Sequence, residues 1–194
     1  MKVEEPDIEY GHYTYADYLK WHFEEQVELI KGKIFKMSPA PKRIHQKISR
    51  ELSNRIFNFL NGQKCEAYSA PFDVRLPVKS KKNEDITTVV QPDICVICDP
   101  LKLDDAGCIG APDIIIEILS KGNNKKELQN KYEVYEESGV KEYWIIHPDQ
   151  QTVLIYNLVN GKFQSSRLLT KGDKVTTPIL PGFILELDDV FEDE

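Results

Sequence analysis

Between the break at Ser38–Pro41 and the pair Asn61-Gly62, the apolar residues Ile44, Ile48, Leu52, Ile56 and Phe59 recur at helical spacing. That periodicity predicts an amphipathic helix running to Leu60. A second stripe, Leu128, Tyr132 and Tyr135, runs through NNKKELQNKYEVYEESG and predicts a helix ending at Gly139. Elsewhere the pattern alternates or runs continuously apolar. VELIKGKIFKM reads as a hairpin turning on Lys31-Gly32, and TVLIYNL with FQSSRLL as another turning on Asn160-Gly161. CEAYSAPFDVRLPV, VVQPDICVIC, APDIIIEILS and KEYWIIH read as strands, and PGFILELDDVF as a closing segment. TYADYLKWH reads as a short helix with Thr14 as its N-cap. KSKKNEDIT, between the first two long strands, reads as a mobile polar loop. No repeat, linker or low-complexity block interrupts the series. The order helix, strands, helix, strand, with added hairpins, predicts one α/β domain over residues 1–194.

Charge changes the picture on one strand. In APDIIIEILS, Glu117 interrupts a run of isoleucines and leucine that otherwise reads as buried. Burying a carboxylate costs several kcal/mol unless something pairs with it or coordinates it. Alternation places Asp113, Ile115, Glu117 and Leu119 on one face and Ile114, Ile116 and Ile118 on the other. Asp93 stands on the preceding strand, 24 residues before Glu117. Neighbouring strands lie about 4.8 Å apart, so a suitable register would bring the two carboxylates together. Two carboxylates and a strand carbonyl, here that of Ile118, make the oxygen-rich site that Mg²⁺ or Mn²⁺ prefers. The plainer alternatives are that Glu117 meets solvent or pairs with a lysine, and that Asp93 is a turn residue after Pro92.

Hydrophobic residues make up 41% of the chain and charged residues 29%, an ordinary globular balance. A net charge of −7 argues against holding nucleic acid by bulk electrostatics alone. It leaves room for an enzyme whose divalent metals bridge phosphate to carboxylates. No apolar run approaches the roughly 20 residues of a membrane helix. The start, MKVEEPDIEYGHYTY, lacks the basic and apolar stretches of a secretory signal, so a cytoplasmic location is expected. Cys95 and Cys98 form a CxxC, but no second pair completes a zinc site, and residues three apart on a strand point to opposite faces. All four cysteines, 65, 95, 98 and 108, are therefore expected as small core residues of a reduced protein.

VELIKGKIFKMSPAPKRIHQKI, QPDICVI, GAPDIIIEILS, KYEVYEESGVKEYWIIHP and PGFILELDDVF occur in that order. Together they resemble the putative restriction endonuclease family of the PD-(D/E)XK nuclease superfamily, from about Tyr13 to Phe191. The resemblance implies a restriction-endonuclease-like core, a mixed β-sheet flanked by helices with additional β-hairpins. It also implies metal-dependent hydrolysis of phosphodiester bonds in DNA. On it, Asp93 falls on the first acidic ligand and Glu117 on the (D/E)XK acid. Two residues further on stands Leu119, where the superfamily usually keeps a lysine. Lys131 matches a lysine that the family carries in the following helix, and Lys121 is a second candidate, standing where the family usually has proline. Glu28 matches the acidic residue of the first hairpin, and His45 the histidine at the start of the long helix, with Gln46 beside it.

Each of these residues has a plainer reading. Lys131 could be a solvated helix lysine, Glu28 an exposed hairpin residue, and His45 a packing residue at the edge of the helix stripe. SKGNNKKE departs from the Ser-Pro-Ser-Thr run typical of the family. Lys42, Arg43 and Lys47 form one basic patch and Lys79, Lys81 and Lys82 another, each a phosphate contact or a solvated face. His12, His22 and His147 fall into no interpretable arrangement. The expectation is a Mg²⁺- or Mn²⁺-dependent DNA endonuclease without a membrane partner. Asp93, Glu117 and the Ile118 carbonyl would hold the metal, Glu28 would assist, Lys131 would supply the cation and His45 would support. Cutting both strands would take two sites, hence a homodimer. The alternative is a catalytically silent nucleic-acid-binding or dimeric scaffold of the same fold, which Leu119 and the acidic net charge favour.

Overall fold

The computed structural model describes residues 11–23, 25–37, 42–120 and 125–192. The Ser38–Pro41 break and Lys121 lie outside the described residues. Helix α1 (Tyr15–Tyr18) is a single turn, and the Asp17 carboxylate accepts from both the N–H and the hydroxyl of Thr14 at its start. Strands β1 (Val27–Ile30) and β2 (Lys33–Lys36) form the first hairpin. Lys31 at φ 50° and Gly32 at φ 79° turn it, two successive left-handed residues whose twist matches that of the strands.

Helix α2 (Arg43–Leu60) ends where the pattern placed its end. Its buried face is His45, Ile48, Leu52, Ile56 and Leu60, whereas Ile44 is 41% exposed and Phe59 packs at the edge. The inner stripe therefore starts one residue later than the apolar spacing suggested, and a histidine occupies its first position. Gln46 is exposed.

Two segments expected as single strands divide. CEAYSAPFDVRLPV becomes β3 (Glu66–Ser69) and β4 (Val74–Arg75), and VVQPDICVIC becomes β5 (Val89–Val90) and β6 (Ile94–Ile97). A proline, Pro71 or Pro92, stands at each division, and proline cannot donate to a ladder. A short hairpin that the pattern did not announce, β7 (Leu103–Asp104) and β8 (Gly107–Ile109), precedes β9 (Ile114–Ile118). Helix α3 (Lys125–Ser138) then leads to β10 (Glu142–His147), β11 (Thr152–Val159) and β12 (Lys162–Ser165). The chain closes with β13 (Leu169–Thr170), β14 (Lys174–Val175), β15 (Leu185–Glu186) and α4 (Leu187–Val190).

The larger sheet runs β12-β11-β10-β9-β6-β3, with β13 on β11, and the second runs β2-β1-β5-β4-β8-β7. In the larger sheet β9 is parallel to β10, reached through α3, and antiparallel to β6. This is the mixed sheet with flanking helices that the family resemblance implied. Ile114, Ile116 and Ile118 pack with Ile48, Leu52 and Ile56 of α2. Ile115 packs on the other side with Val134 and Tyr135 of α3 and with Val74 and Val90 of the second sheet. The expected alternation holds, and it puts the face of Glu117 between the two sheets and α3.

The KSKKNEDIT loop is pinned rather than free, because Ile86 is fully buried and the carbonyls of Ile86 and Asn83 accept from Tyr15 and Ala16. Lys79, Lys81 and Lys82 of that loop are exposed. The cysteine expectation is corrected for one pair. Cys65 and Cys98 are joined in a disulfide, since the β3–β6 register that sets Glu66 opposite Ile97 also sets these two opposite each other. Cys95 and Cys108 are free and buried, and Cys95 faces the core on the other side from Cys98, as strand geometry required. Among the described residues no helix is long and apolar enough to cross a membrane.

Candidate active site

The β6–β9 ladder sets Ile94 opposite Ile116, and its continuation sets Asp93 opposite Glu117. Directly opposed residues of an antiparallel pair share a face, with Cβ atoms about 5 Å apart. The ladder itself stops there. The Asp93 carboxylate takes over from the backbone, and its Oδ2 accepts the Ile118 N–H at 2.7 Å. Ile118 thus meets Asp93 through its amide, while its side chain goes to the α2 side of the sheet. The other oxygen, Oδ1, lies 3.3 Å from Nε2 of His45 at the start of α2. Burial would lower the His45 pKa, but the Asp93 hydrogen bond and charge, with the Ile118 backbone, raise it above the ordinary value.

Glu117 is 8% exposed, and Lys131, from the second turn of α3, is 5% exposed. Nζ of Lys131 donates to Glu117 Oε1 at 3.0 Å and lies 3.0 Å from Oε1 of Glu28 on β1. The Tyr135 hydroxyl donates to the same Glu117 oxygen at 2.8 Å, and the Gln91 N–H donates to Glu28 at 2.8 Å. Glu28 is buried, as are all four residues of β1, so the exposed-hairpin reading of Glu28 does not hold. Nor is Lys131 a solvated helix lysine. Lys131 and Tyr135 stand four apart on α3 and reach Glu117 from one face of the helix. Sequence reasoning placed Tyr135 only in the core stripe of the helix and missed its role as a donor; its four-residue spacing from Lys131 is the signal that could have found it.

Two carboxylates, Glu28 and Glu117, therefore share one lysine, and a third, Asp93, faces Glu117 with His45 on its other side. Burial raises the Glu117 pKa to about 7 against the pull of Lys131, and the charges of Asp93 and Glu28 push in the same direction as burial. Burial disfavours the Lys131 ammonium, yet the charges of Glu117 and Glu28 hold its pKa well above the ordinary lysine value. The cluster carries more negative charge than its own cations balance.

A divalent cation would supply that balance. Asp93, Glu117 and a strand carbonyl offer hard oxygen donors, and Mg²⁺ commonly uses one or two carboxylates plus water and substrate phosphate rather than a full protein cage. Among the described residues no three His, Cys, Asp or Glu side chains form a metal cluster by themselves. Donor type and charge fit a partly hydrated Mg²⁺ or Mn²⁺ on that basis.

The other sequence candidates lie apart from these carboxylates. Lys47 donates to the backbone of Glu192. Asp113, on the same face as Glu117, is instead held by Lys141 and by the N–H of Cys98. Lys42 and His147 line a groove beside the site.

A crystal structure of "a putative nuclease belonging to DUF820" from Anabaena variabilis superposes with a TM-score of 0.70 at 25% identity. The match covers 92% of this chain and 97% of the other. No curated relative matches. The model of the family described as "Uma2: Putative restriction endonuclease" matches residues 15–188, nearly the whole chain. On the sequence, the fold and that match together, the chain belongs to this restriction-endonuclease-like family of nucleases.

Proposed function

We propose that the chain is a Mg²⁺- or Mn²⁺-dependent DNA endonuclease, acting through a single nuclease domain. The observation that carries this is Lys131, buried between Glu28 and Glu117, with Asp93 facing Glu117 across the β6–β9 pair. A PD-(D/E)XK site needs a cation beside its acid, and α3 delivers one where the strand itself offers Leu119. Asp93, Glu117 and the Ile118 carbonyl would hold the metal, which when bound polarises phosphate and makes its water acidic.

The chain's own groups do the rest. The Lys131 ammonium stabilises negative charge developing on the phosphate. Tyr135 and Lys131 fix the orientation of Glu117, and Glu28 keeps Lys131 charged and in place. His45 holds Asp93. The apolar surroundings of Glu117 keep bulk water away and strengthen each of these interactions. Cutting both strands takes two sites, so the active form is a homodimer.

The test is cleavage of plasmid and single-stranded DNA with Mg²⁺ and with Mn²⁺, comparing wild type with Asp93→Ala and Glu117→Ala. Wild type cuts and both variants cut about 10²–10³-fold more slowly; equal activity in all three overturns the proposal. The second reading, a catalytically silent scaffold, is favoured by one observation, the apolar Leu119 on the Glu117 face. Calorimetric titration with Mg²⁺ separates the two, because a silent scaffold has no need of metal at Asp93 and Glu117.

A further inference from the structure

Beside the carboxylates opens a groove of about 200 Å³, formed by the start of α2, the residues after β9, the first turn of α3 and the end of β10. It adjoins the proposed metal site directly. His45 lines it while its Nε2 faces Asp93, and Leu119 and Ser120 follow Glu117 and Ile118 in the chain. The β9–β10 register sets Ile146 beside Ile118, and the Leu119 N–H donates to the Ile146 carbonyl at 2.9 Å. His147 therefore stands next to Leu119, and period two places it on the Glu117 face.

The walls of the groove are apolar, from Ile44, Leu119, Leu128 and Pro148. Such walls are a poor track for a phosphodiester backbone and a good one for the face of a heterocycle. Ile44 is 41% exposed near the start of α2, and the groove gives it a use. The volume lies below the roughly 300 Å³ at which drug-sized ligand pockets begin, so the occupant is small. Lys42, Ser120, His147, Asp149 and Gln150 line the groove as well and bring hydrogen-bonding groups. Burial lowers the His147 pKa, so its ring is neutral near pH 7 and offers one donor and one acceptor.

We propose that this groove seats one nucleobase of the DNA strand next to the scissile phosphate, held between apolar walls and contacted at its edge by His147. The inference rests on the nuclease reading and adds a substrate subsite to it. A base so held is drawn out of its stack, which favours single-stranded or locally opened DNA.

Short single-stranded DNA carrying 2-aminopurine at successive positions tests it, titrated onto the full chain with Ca²⁺ in place of Mg²⁺. The fluorescence of 2-aminopurine rises when the base leaves its neighbours. One position brightens severalfold on wild type, and both His147→Ala and Ile44→Asp lose that brightening and weaken binding ~10-fold. The assignment is overturned if no position brightens on wild type, or if both variants brighten as wild type does. Plasmid cleavage scores the nuclease reading separately. A chain that cuts DNA without position-specific brightening loses the groove alone. A chain that brightens at one position without cutting keeps a base-binding groove but loses the nuclease reading, and with it the placement next to a scissile phosphate.

Discussion

The strand β9 and its approach bury two carboxylates on one face, four residues apart, and treat them oppositely. Asp113 is 3% exposed, accepts the Cys98 N–H at 2.7 Å, and pairs with Lys141 at 2.6 Å. Burial alone would raise its pKa, but Lys141 and the Cys98 amide hold it below the ordinary aspartate value. Glu117 has a lysine too, yet it shares that lysine with Glu28 and faces Asp93. There burial wins and the pKa rises. Glu142, held only by the neutral donors Thr177 and Trp144, is also raised by burial. What sets Glu117 apart from Asp113 is that burial, the largest influence on it, outweighs a lysine shared with Glu28, and the charges of Asp93 and Glu28 add to that burial. A balanced carboxylate supports the fold, and an overloaded one is kept at some cost in stability, as functional sites are.

The largest effect should come from removing the shared cation. Lys131→Met leaves Glu28 and Glu117 buried without compensation and should cost about 3–5 kcal/mol in urea unfolding at alkaline pH. Lys141, with 63% of its side chain exposed, should cost far less when changed to Met. Equal losses would erase the distinction between the two ends. Next in size is catalysis. Asp93→Ala or Glu117→Ala should lower DNA cleavage by about 10²–10³-fold, while Asp113→Asn leaves it near wild type. If Asp113→Asn were as inactive as the others, the two ends would form one site. The same Asp113→Asn change should cost about 1–3 kcal/mol, because it disturbs a satisfied buried carboxylate.

The smallest effect is the most discriminating, since its sign differs between the two ends. The folded-state pKa of Glu117 is raised, so its contribution to stability is full below the unfolded value and is lost as pH rises through about 7. In metal-free protein, Glu117→Gln should gain melting temperature relative to wild type as pH rises from acid to alkaline. The folded-state pKa of Asp113 is lowered, so its contribution is present above the unfolded value and is lost as pH falls through the folded one. The wild-type advantage over Asp113→Asn should therefore shrink in acid. Thermal melts at several pH values read both trends, and trends of the same sign would contradict the contrast.

How much of this was legible differs residue by residue. Period two alone put Glu117 on a defined face, and a plausible pairing put Asp93 near it, because a strand's side-chain directions are fixed by its backbone. Helical spacing brought Lys131 and Tyr135 together for the same reason. Glu28 was not legible as buried, since β1 is covered on both faces, and only knowledge of its sheet partners could reveal that. The Cys65–Cys98 disulfide was hidden likewise, because it depends on β3 pairing with β6 rather than on any local spacing. The one-residue shift that buries His45 and exposes Ile44 reflects which face of α2 the sheet accepts, which the apolar pattern only approximated.

Calorimetric titration of Mn²⁺ into wild type, Glu117→Gln and Asp113→Asn tests the central claim most directly. Wild type and Asp113→Asn should each show saturable binding that Glu117→Gln lacks. Binding that survives unchanged in Glu117→Gln, or no binding to wild type, would contradict it.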